Sequence, residues 1–302
     1  MRAVLVFNPK ATATNARVRD VLKRALESDL KLDVVETKRR GHAIDAARQA
    51  AADGVELVVV LGGDGTVNEV VNGIAGSPTE LAVVPGGSTN VFARALGLSA
   101  SPVDATSEIL DALRSGSRRR VNLGVVNGRY FTFCAGVGID AEVVRVVERH
   151  RRNGRKATPA LYVRSAVSHY YLGTERQQPS ITIERPGAEP EEGLFNVIVA
   201  NGSPWTYFGT RAVNPCPEAD FDGGLDVLAM RKLKTVSTLR VVRQMFATQN
   251  HLKSRAAFQL HDVDEFTIRS DRPLAYQLDG DYLGEIEELA FRSLPDALSV
   301  VV

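Results

Sequence analysis

Short aliphatic runs alternate with amphipathic stretches through the first third of the chain, and that alternation predicts strands and helices in turn. Ala3–Phe7, Leu32–Val35, Leu57–Leu61 and Leu81–Val84 read as strands, three of them almost wholly apolar as in a sheet covered on both faces. The spacing of Ala16, Val18, Val21, Leu22, Ala25 and Leu26 predicts a helix over 15–28. A second helix over 42–53 stops at Gly54, which suits the left-handed position just past a helix C-terminus. Helices at Val91–Leu96 and Asp104–Arg114 complete the series. Repeated strand–helix units imply a doubly wound, mostly parallel α/β sheet that collects ligands at the carboxyl ends of its strands. The loops Asn8–Thr14, Gly62–Gly65 and Gly86–Asn90 are therefore expected on one rim.

The pattern changes near residue 120. Val121–Val126, the turn Asn127-Gly128 and Arg129–Ala135 form a hairpin signal. Beyond it, Ser180–Glu184, Leu194–Ala200, Leu225–Met230, Ala257–His261, Glu265–Arg269 and Leu274–Leu278 read as strands, with helices at Ala141–Glu148, Pro159–Tyr171 and Thr235–Ala247. The expectation is two domains. Residues 1–120 form a nucleotide-binding α/β domain and residues 121–302 a β-rich, sandwich-like domain, whose last residues are free to return to the first.

The composition narrows the function classes. With 302 residues, 44% of them hydrophobic and 24% charged, the chain suits a globular protein of two ordinary domains. A net charge of +1 gives no global attraction to nucleic acid, so none is expected as a partner. No run approaches the ~20 apolar residues that span a bilayer, and Met1–Pro9 lacks a secretory cleavage pattern. Cys134 and Cys216 are far apart and without metal-ligand spacing, which predicts buried free thiols in a reducing cytoplasm.

The chemistry gathers at the turn after Leu61. Gly62, Gly63 and Gly65 leave the backbone open to close approach, and Thr66 with Glu69 has the spacing of a capping box at a helix head. Strand, bare turn and helix N-terminus make a phosphate cradle. Asp64 in its middle would repel a phosphate unless a cation mediates, which points to a magnesium–triphosphate complex. A tight turn in which Asp64 only caps neighbouring amides is the plain structural alternative. Two further acidic turns stand out. Asp279-Gly280-Asp281 closes a strand with two carboxylates: Asp279 could take the proton of a lipid or sugar hydroxyl, with Asp281 orienting it or ligating metal, although an ordinary Asp-Gly turn looks the same. Glu218–Asp226 alternates carboxylates and carbonyls in a way that suits a hard cation. Arg149, Arg151, Arg152, Arg155 and Lys156 could meet anionic lipid or form a solvated helix end; Arg118–Arg120 carries the same ambiguity.

Taken in order, these stretches resemble the soluble diacylglycerol/sphingosine-type lipid kinases, relatives of NAD kinases and phosphofructokinases. The resemblance rests on Asn8-Pro9, Gly62–Glu69, Pro85–Asn90 with Val91–Arg94, Gly136–Ala141, Pro215–Asp226 and Asp279–Asp281, and so spans nearly the whole chain. It implies ATP held by Asn8, Pro9, Lys10, Ala11, Thr12, Thr37, Gly62, Gly63, Asp64, Gly65, Thr66, Val67, Asn68, Glu69 and Ser88. It implies a structural Mg2+ on Asp222 with the carbonyls of Ala219 and Gly224, and Asp279, Asp281 and Asp64 as catalytic acids. Three departures are visible: the loop Pro9–Thr14 has no glycine, Ser88 stands for the usual threonine, and Asp281 for the usual glutamate. The expected activity is transfer of the γ-phosphate of ATP to a lipid hydroxyl, diacylglycerol giving phosphatidic acid, by a cytoplasmic protein that meets the membrane peripherally, with a homodimer as a further expectation. Another lipid alcohol (a sphingoid base or phosphatidylglycerol), an NAD-kinase-like enzyme, or an inactive nucleotide- or lipid-binding regulator are the alternatives.

Overall fold

The computed structural model describes residues 1–9, 16–152, 158–173, 178–247 and 254–302. Lys10, Ala11, Thr12, Arg155 and Lys156, all singled out above, lie outside the described residues. The chain forms two compact units, Met1–Leu123 with Pro295–Val302, and Gly124–Leu294.

The first unit runs β1 (Arg2–Phe7), α1 (Ala16–Glu27), β2 (Lys31–Glu36), α2 (His42–Ala52), β3 (Leu57–Gly62), α3 (Asp64–Ile74), β4 (Glu80–Pro85), α4 (Val91–Ala95) and α5 (Pro102–Ser115). The strands lie parallel in the order β2-β1-β3-β4, and the chain's last residues add to β4 through Val300 opposite Leu81. Alternate side chains of each strand serve opposite faces. Leu5, Leu57, Val59, Leu61, Ala82 and Val84 pack with Leu22 and Leu26 of α1 and Ile109 of α5. Val4, Val6, Val58, Val60 and Val83 are buried on the other face, where α2 and α3 also bury Ala43, Ala47, Val70, Val71 and Ile74. The chain thus leaves β1 towards one face and β3 towards the other. Sheets of this kind bind ligands where the connections diverge in this way, here at the carboxyl ends of β1 and β3.

The second unit takes up β5 (Arg118–Val126) part-way, then runs β6 (Arg129–Phe131), β7 (Cys134–Val137), α6 (Ile139–Arg152) and α7 (Pro159–Ser168), which a π-helical turn, His169–Gly173, prolongs. β8 (Ile181–Glu184), β9 (Glu191–Leu194), β10 (Val197–Ala200), the small hairpin β11 (Thr206–Phe208) and β12 (Arg211–Val213), β13 (Leu225–Met230), α8 (Thr235–Met245), β14 (Ala257–Val263), β15 (Glu265–Leu278) and β16 (Asp281–Val301) follow. β14, β13, β10, β7, β15 and β16 pair antiparallel in that order around a core that includes Phe131, Ile183, Val199, Val227, Phe266 and Phe291. Two differences from the sequence expectation have a physical reason. β15 is one strand where two were expected, because the polar run Ser270–Pro273 breaks the alternation; its register against β16 shifts between Arg269 and Leu274. The 21-residue β16 carries Glu285, Glu287 and Glu288 near its start, so no apolar run announces it.

Candidate active site

The carboxyl ends of β1 to β4 line up on one rim of the first unit. Phe7 stands opposite Leu61 and Glu36, and Gly62 opposite Pro85, while Asn8 N–H donates to Leu61 O (3.2 Å) and Thr37 N–H to Phe7 O (2.9 Å). The two glycine turns touch backbone to backbone. A Cβ placed on Gly87 would stand 2.7 Å from Gly63 Cα, and one on Gly62 would stand 2.7 Å from Thr66 Cβ. These glycines are therefore required by packing alone. Asn90, at φ 48°, clasps the second turn: its Oδ1 accepts from Gly87 N–H at 2.8 Å and its Nδ2 donates to Gly87 O at 2.9 Å.

α3 starts directly from this contact, with Gly63 as its N-cap residue and no side chain capping it. The first N–H groups of a helix have no partner within it and sit at the positive end of its dipole, as an anion site needs. The expected capping box is not formed. Glu69 instead reaches to α2, accepting from Gly41 N–H at 2.7 Å and Ala43 N–H at 3.1 Å. The box spacing was met, but α2 offers open donors of its own where Glu69 emerges. Asp64 caps as well, its Oδ1 accepting from Phe92 N–H at the head of α4 (3.2 Å).

Val67 and Asn68 are buried, Asn68 sharing hydrogen bonds with Asn72. With Glu69 committed to α2, the side chains of these three residues face protein. The part of the stretch open to a ligand shrinks to Gly63–Thr66, with Gly62 buried behind it, joined by Asn8, Pro9 and Thr37, which are half-buried, and by exposed Ser88.

Substitution tests the cradle. Gly87→Ala is expected to force the two turns apart and weaken ATP binding by about fivefold or more, if the roughly 1–3 kcal/mol of overpacking falls on the binding backbone. Titration calorimetry on the folded variant measures it; wild-type affinity would remove this rim from the binding site.

In the second unit, Leu278-Asp279-Gly280-Asp281 is a two-residue hairpin turn between β15 and β16. Asp279 (φ 49°) and Gly280 (φ 81°) are both left-handed, the geometry that favours Asp-Gly. The two acids differ sharply. Asp279 is 3% exposed, and its carboxylate accepts from Thr132 N–H (2.7 Å), Thr132 Oγ1–H (2.9 Å), Phe133 N–H (3.0 Å) and Cys134 N–H (3.1 Å). Two donors on each oxygen fill the lone-pair sites of a carboxylate. Asp279, expected from the sequence as the base, is thereby also the brace of its own turn. Asp281, the first residue of β16, is only partly buried.

Sequence reasoning missed how this turn is held. Gln277 Oε1 accepts from Gly280 N–H (2.8 Å) while its Nε2 donates to Asp140 Oδ2 of α6 (2.7 Å). A Cβ on Gly136 would overlap that same Asp140 oxygen, so the glycine gives the bond its room. The Gly136–Ala141 stretch was the available signal; its partner, Gln277, carried none.

Loss of surrounding water pushes the Asp140 carboxyl up to about 6, against the Gln277 amide, which favours the charged form. A carboxyl raised above its unfolded value of 3.8 binds its proton better when folded. Its contribution to stability is complete below that value and is lost as pH rises through about 6. Relative to Asp140→Asn, the wild type should therefore lose stability between about pH 4 and pH 6, read from urea midpoints across that window.

The acidic turn before β13 sorts its carboxylates. Asp220 Oδ1 accepts from Asp222 N–H (2.8 Å) and Gly223 N–H (2.9 Å), and buried Asp226 holds His261 Nδ1 (2.9 Å) and Asp262 N–H (2.9 Å). Gly224 N–H donates to Asp262 Oδ1 at 2.6 Å. Asp222 remains an exposed acid of the turn. Among the described residues no three His, Cys, Asp or Glu side chains gather as a metal group, so a cation here would need the backbone carbonyls. Asp222 with the carbonyls of Ala219 and Gly224 is an all-oxygen set of the kind that suits magnesium.

Arg118 pairs with Glu80 (2.6 Å) and Arg120 donates to Asp296 O (3.3 Å), so both serve the first unit's own structure. Arg149 and Arg151 are exposed on α6. Both cysteines are buried thiols outside any disulfide.

Known proteins resemble this chain along its whole length. Residues 2–126 match the family described as diacylglycerol kinase catalytic domain, and residues 134–302 match the YegS C-terminal NAD kinase beta sandwich-like domain. A diacylglycerol kinase of Bacillus subtilis (strain 168) is 28% identical, over 94% of this chain and 90% of its own. The crystal structure of a Bacillus anthracis diacylglycerol kinase superposes with a TM-score of 0.73 at 20% identity, covering 99% of this chain and 96% of that one. An NAD kinase from Archaeoglobus fulgidus, solved in complex with ATP, shares the fold at a TM-score of 0.53 and 11% identity, covering 100% of this chain and 94% of its own.

Proposed function

Because the chain belongs to the lipid kinase family that joins a diacylglycerol kinase catalytic domain to a YegS-type C-terminal domain, we propose that its acceptor is diacylglycerol and its product phosphatidic acid. The chain is an ATP-dependent lipid kinase. The observation that carries the acceptor assignment is the likeness to a diacylglycerol kinase over 94% of the chain.

In this reading Gly63–Thr66, Asn8, Thr37 and Ser88 receive the nucleotide, with the N-terminus of α3 turned to the phosphates. Phosphoryl transfer asks mainly for positioning and charge stabilisation, together with a group that accepts the hydroxyl proton. Asp281 is that group. Its carboxylate takes the proton of the acceptor hydroxyl as the oxygen attacks the γ-phosphorus and the bond to the bridging oxygen breaks, releasing ADP; Asp279, held by its four donors, fixes the turn that aims it. Magnesium would be held at Asp64 beside the triphosphate and at Asp222 with the carbonyls of Ala219 and Gly224. When bound it would neutralise phosphate charge at the first place and brace the turn before β13 at the second. The acceptor resides in a bilayer, so the enzyme works peripherally, with exposed Arg149 and Arg151 facing anionic headgroups.

Incubation with labelled ATP and a panel of diacylglycerol, a sphingoid base, phosphatidylglycerol and NAD tests this. Label is expected in phosphatidic acid. Label in another product would reassign the acceptor, and ATP binding without any transfer would leave a regulator.

A further inference from the structure

α8 is apolar on two sides. Val241 and Met245 point inward, into a cluster with Ile198, Leu228 and Leu233. Val236, Leu239, Val242 and Phe246 are 75%, 63%, 42% and 41% exposed. They are three, three and four residues apart, so they form one stripe along about 15 Å of helix. A surface helix normally turns charged or polar residues outward. This one turns out four large apolar side chains.

The surrounding charge has one sign. From Val227 to His261 the sequence contains no Asp or Glu and seven Lys or Arg. Lys232 and Lys234, just before the helix, and Arg240 and Arg243, on it, are exposed beside the apolar stripe. An apolar stripe edged by cations is the make-up of a helix lying in a membrane interface, with its apolar side among acyl chains and its cations at the headgroups. Self-association suits it poorly, since two such faces laid together would set Arg240 and Arg243 against their own copies.

We propose that α8 is an interfacial helix that rests its outer face on an anionic bilayer and so holds the enzyme on the surface that carries its acceptor. The inference rests on the lipid kinase assignment and adds a contact point to it. The helix is fixed to the second unit from behind: Tyr170 Oη–H, on the π-helical turn, donates to Leu233 O at 2.6 Å. Substitutions on the outer face therefore leave the core side untouched.

The test compares the full chain with Leu239→Gln/Phe246→Gln and with Arg240→Glu/Arg243→Glu by sedimentation with phosphatidylcholine vesicles, with and without phosphatidylserine. The wild type should bind the anionic vesicles at least about tenfold better than the neutral ones, and each double variant should lose most of that binding. Charge reversal should also flatten its dependence on salt. Turnover on a short-chain diacylglycerol dispersed in detergent should stay at the wild-type level in both variants. Vesicle binding indifferent to both substitutions would overturn the inference while leaving the kinase assignment intact. A change from dimer to monomer in Leu239→Gln/Phe246→Gln with unchanged vesicle binding would overturn it in favour of a self-contact. Absence of turnover by the wild type on any dispersed lipid alcohol would instead count against the kinase reading itself.

Discussion

Asp281→Asn should lower turnover by about 10²-fold or more, the usual cost of losing a general base, while ATP affinity and the unfolding midpoint stay at their wild-type values. Asp281 and Asp279 share one hairpin turn, but Asp281 lies at the partly open start of β16 and Asp279 is 3% exposed. A base engages the acceptor proton only as transfer proceeds, so its loss appears in kcat more than in binding. Asp281→Glu should keep measurable activity, since the longer carboxylate is the residue usual at this place in the family. Steady-state kinetics on the lipid acceptor decide the matter. Normal turnover by Asp281→Asn would remove the base from this turn.

Asp279→Asn should act in the opposite way, reducing stability first and activity as a consequence. An asparagine has one oxygen where Asp279 uses two. If its amide turned towards Thr132, the Thr132 hydroxyl could reverse and accept, but Thr132 N–H, now bonded at 2.7 Å, would be left without an acceptor. One buried N–H without a partner costs about 1–3 kcal/mol. Asp279→Ala strands all four donors and should cost more. Urea unfolding of both variants beside Asp281→Asn separates the two roles, because only the Asp279 variants should shift the midpoint. Wild-type stability with abolished turnover in Asp279→Asn would return the base to Asp279.

Much of this was legible along the chain. Buried parallel strands must be apolar on both faces, so β1, β3 and β4 appear as aliphatic runs, and a backbone that must approach another backbone appears as glycine, as at Gly62 and Gly63. The Asp-Gly pair marks its own turn, because left-handed backbone at two successive residues narrows the choice of residue. Spacing of this kind is local, and it sufficed for two domains, a rim of glycine-bearing loops and three acidic turns.

It could not say which acid does what. Glu69 had the spacing of a capping box and caps instead a helix whose acceptor-seeking N–H groups lie 26 and 28 residues away. Asp279 read as the base with Asp281 beside it, and nothing local showed that the fold sets the backbone of Thr132, Phe133 and Cys134, some 145 to 147 residues earlier, around Asp279. Asp220 and Asp226 looked like cation ligands beside Asp222 until turn amides and His261 claimed them. The outward stripe of α8 was likewise invisible, since apolar residues at helical spacing predict a helix but not which of its faces the core will use. The sequence by itself determined the elements, the order of the motifs and the chemical types available at each turn, because those follow from local backbone and side-chain preferences. Only the tertiary structure decided which carboxylate is enclosed by backbone donors and which stands at the partly buried start of β16, because that depends on donors the chain brings together from far apart.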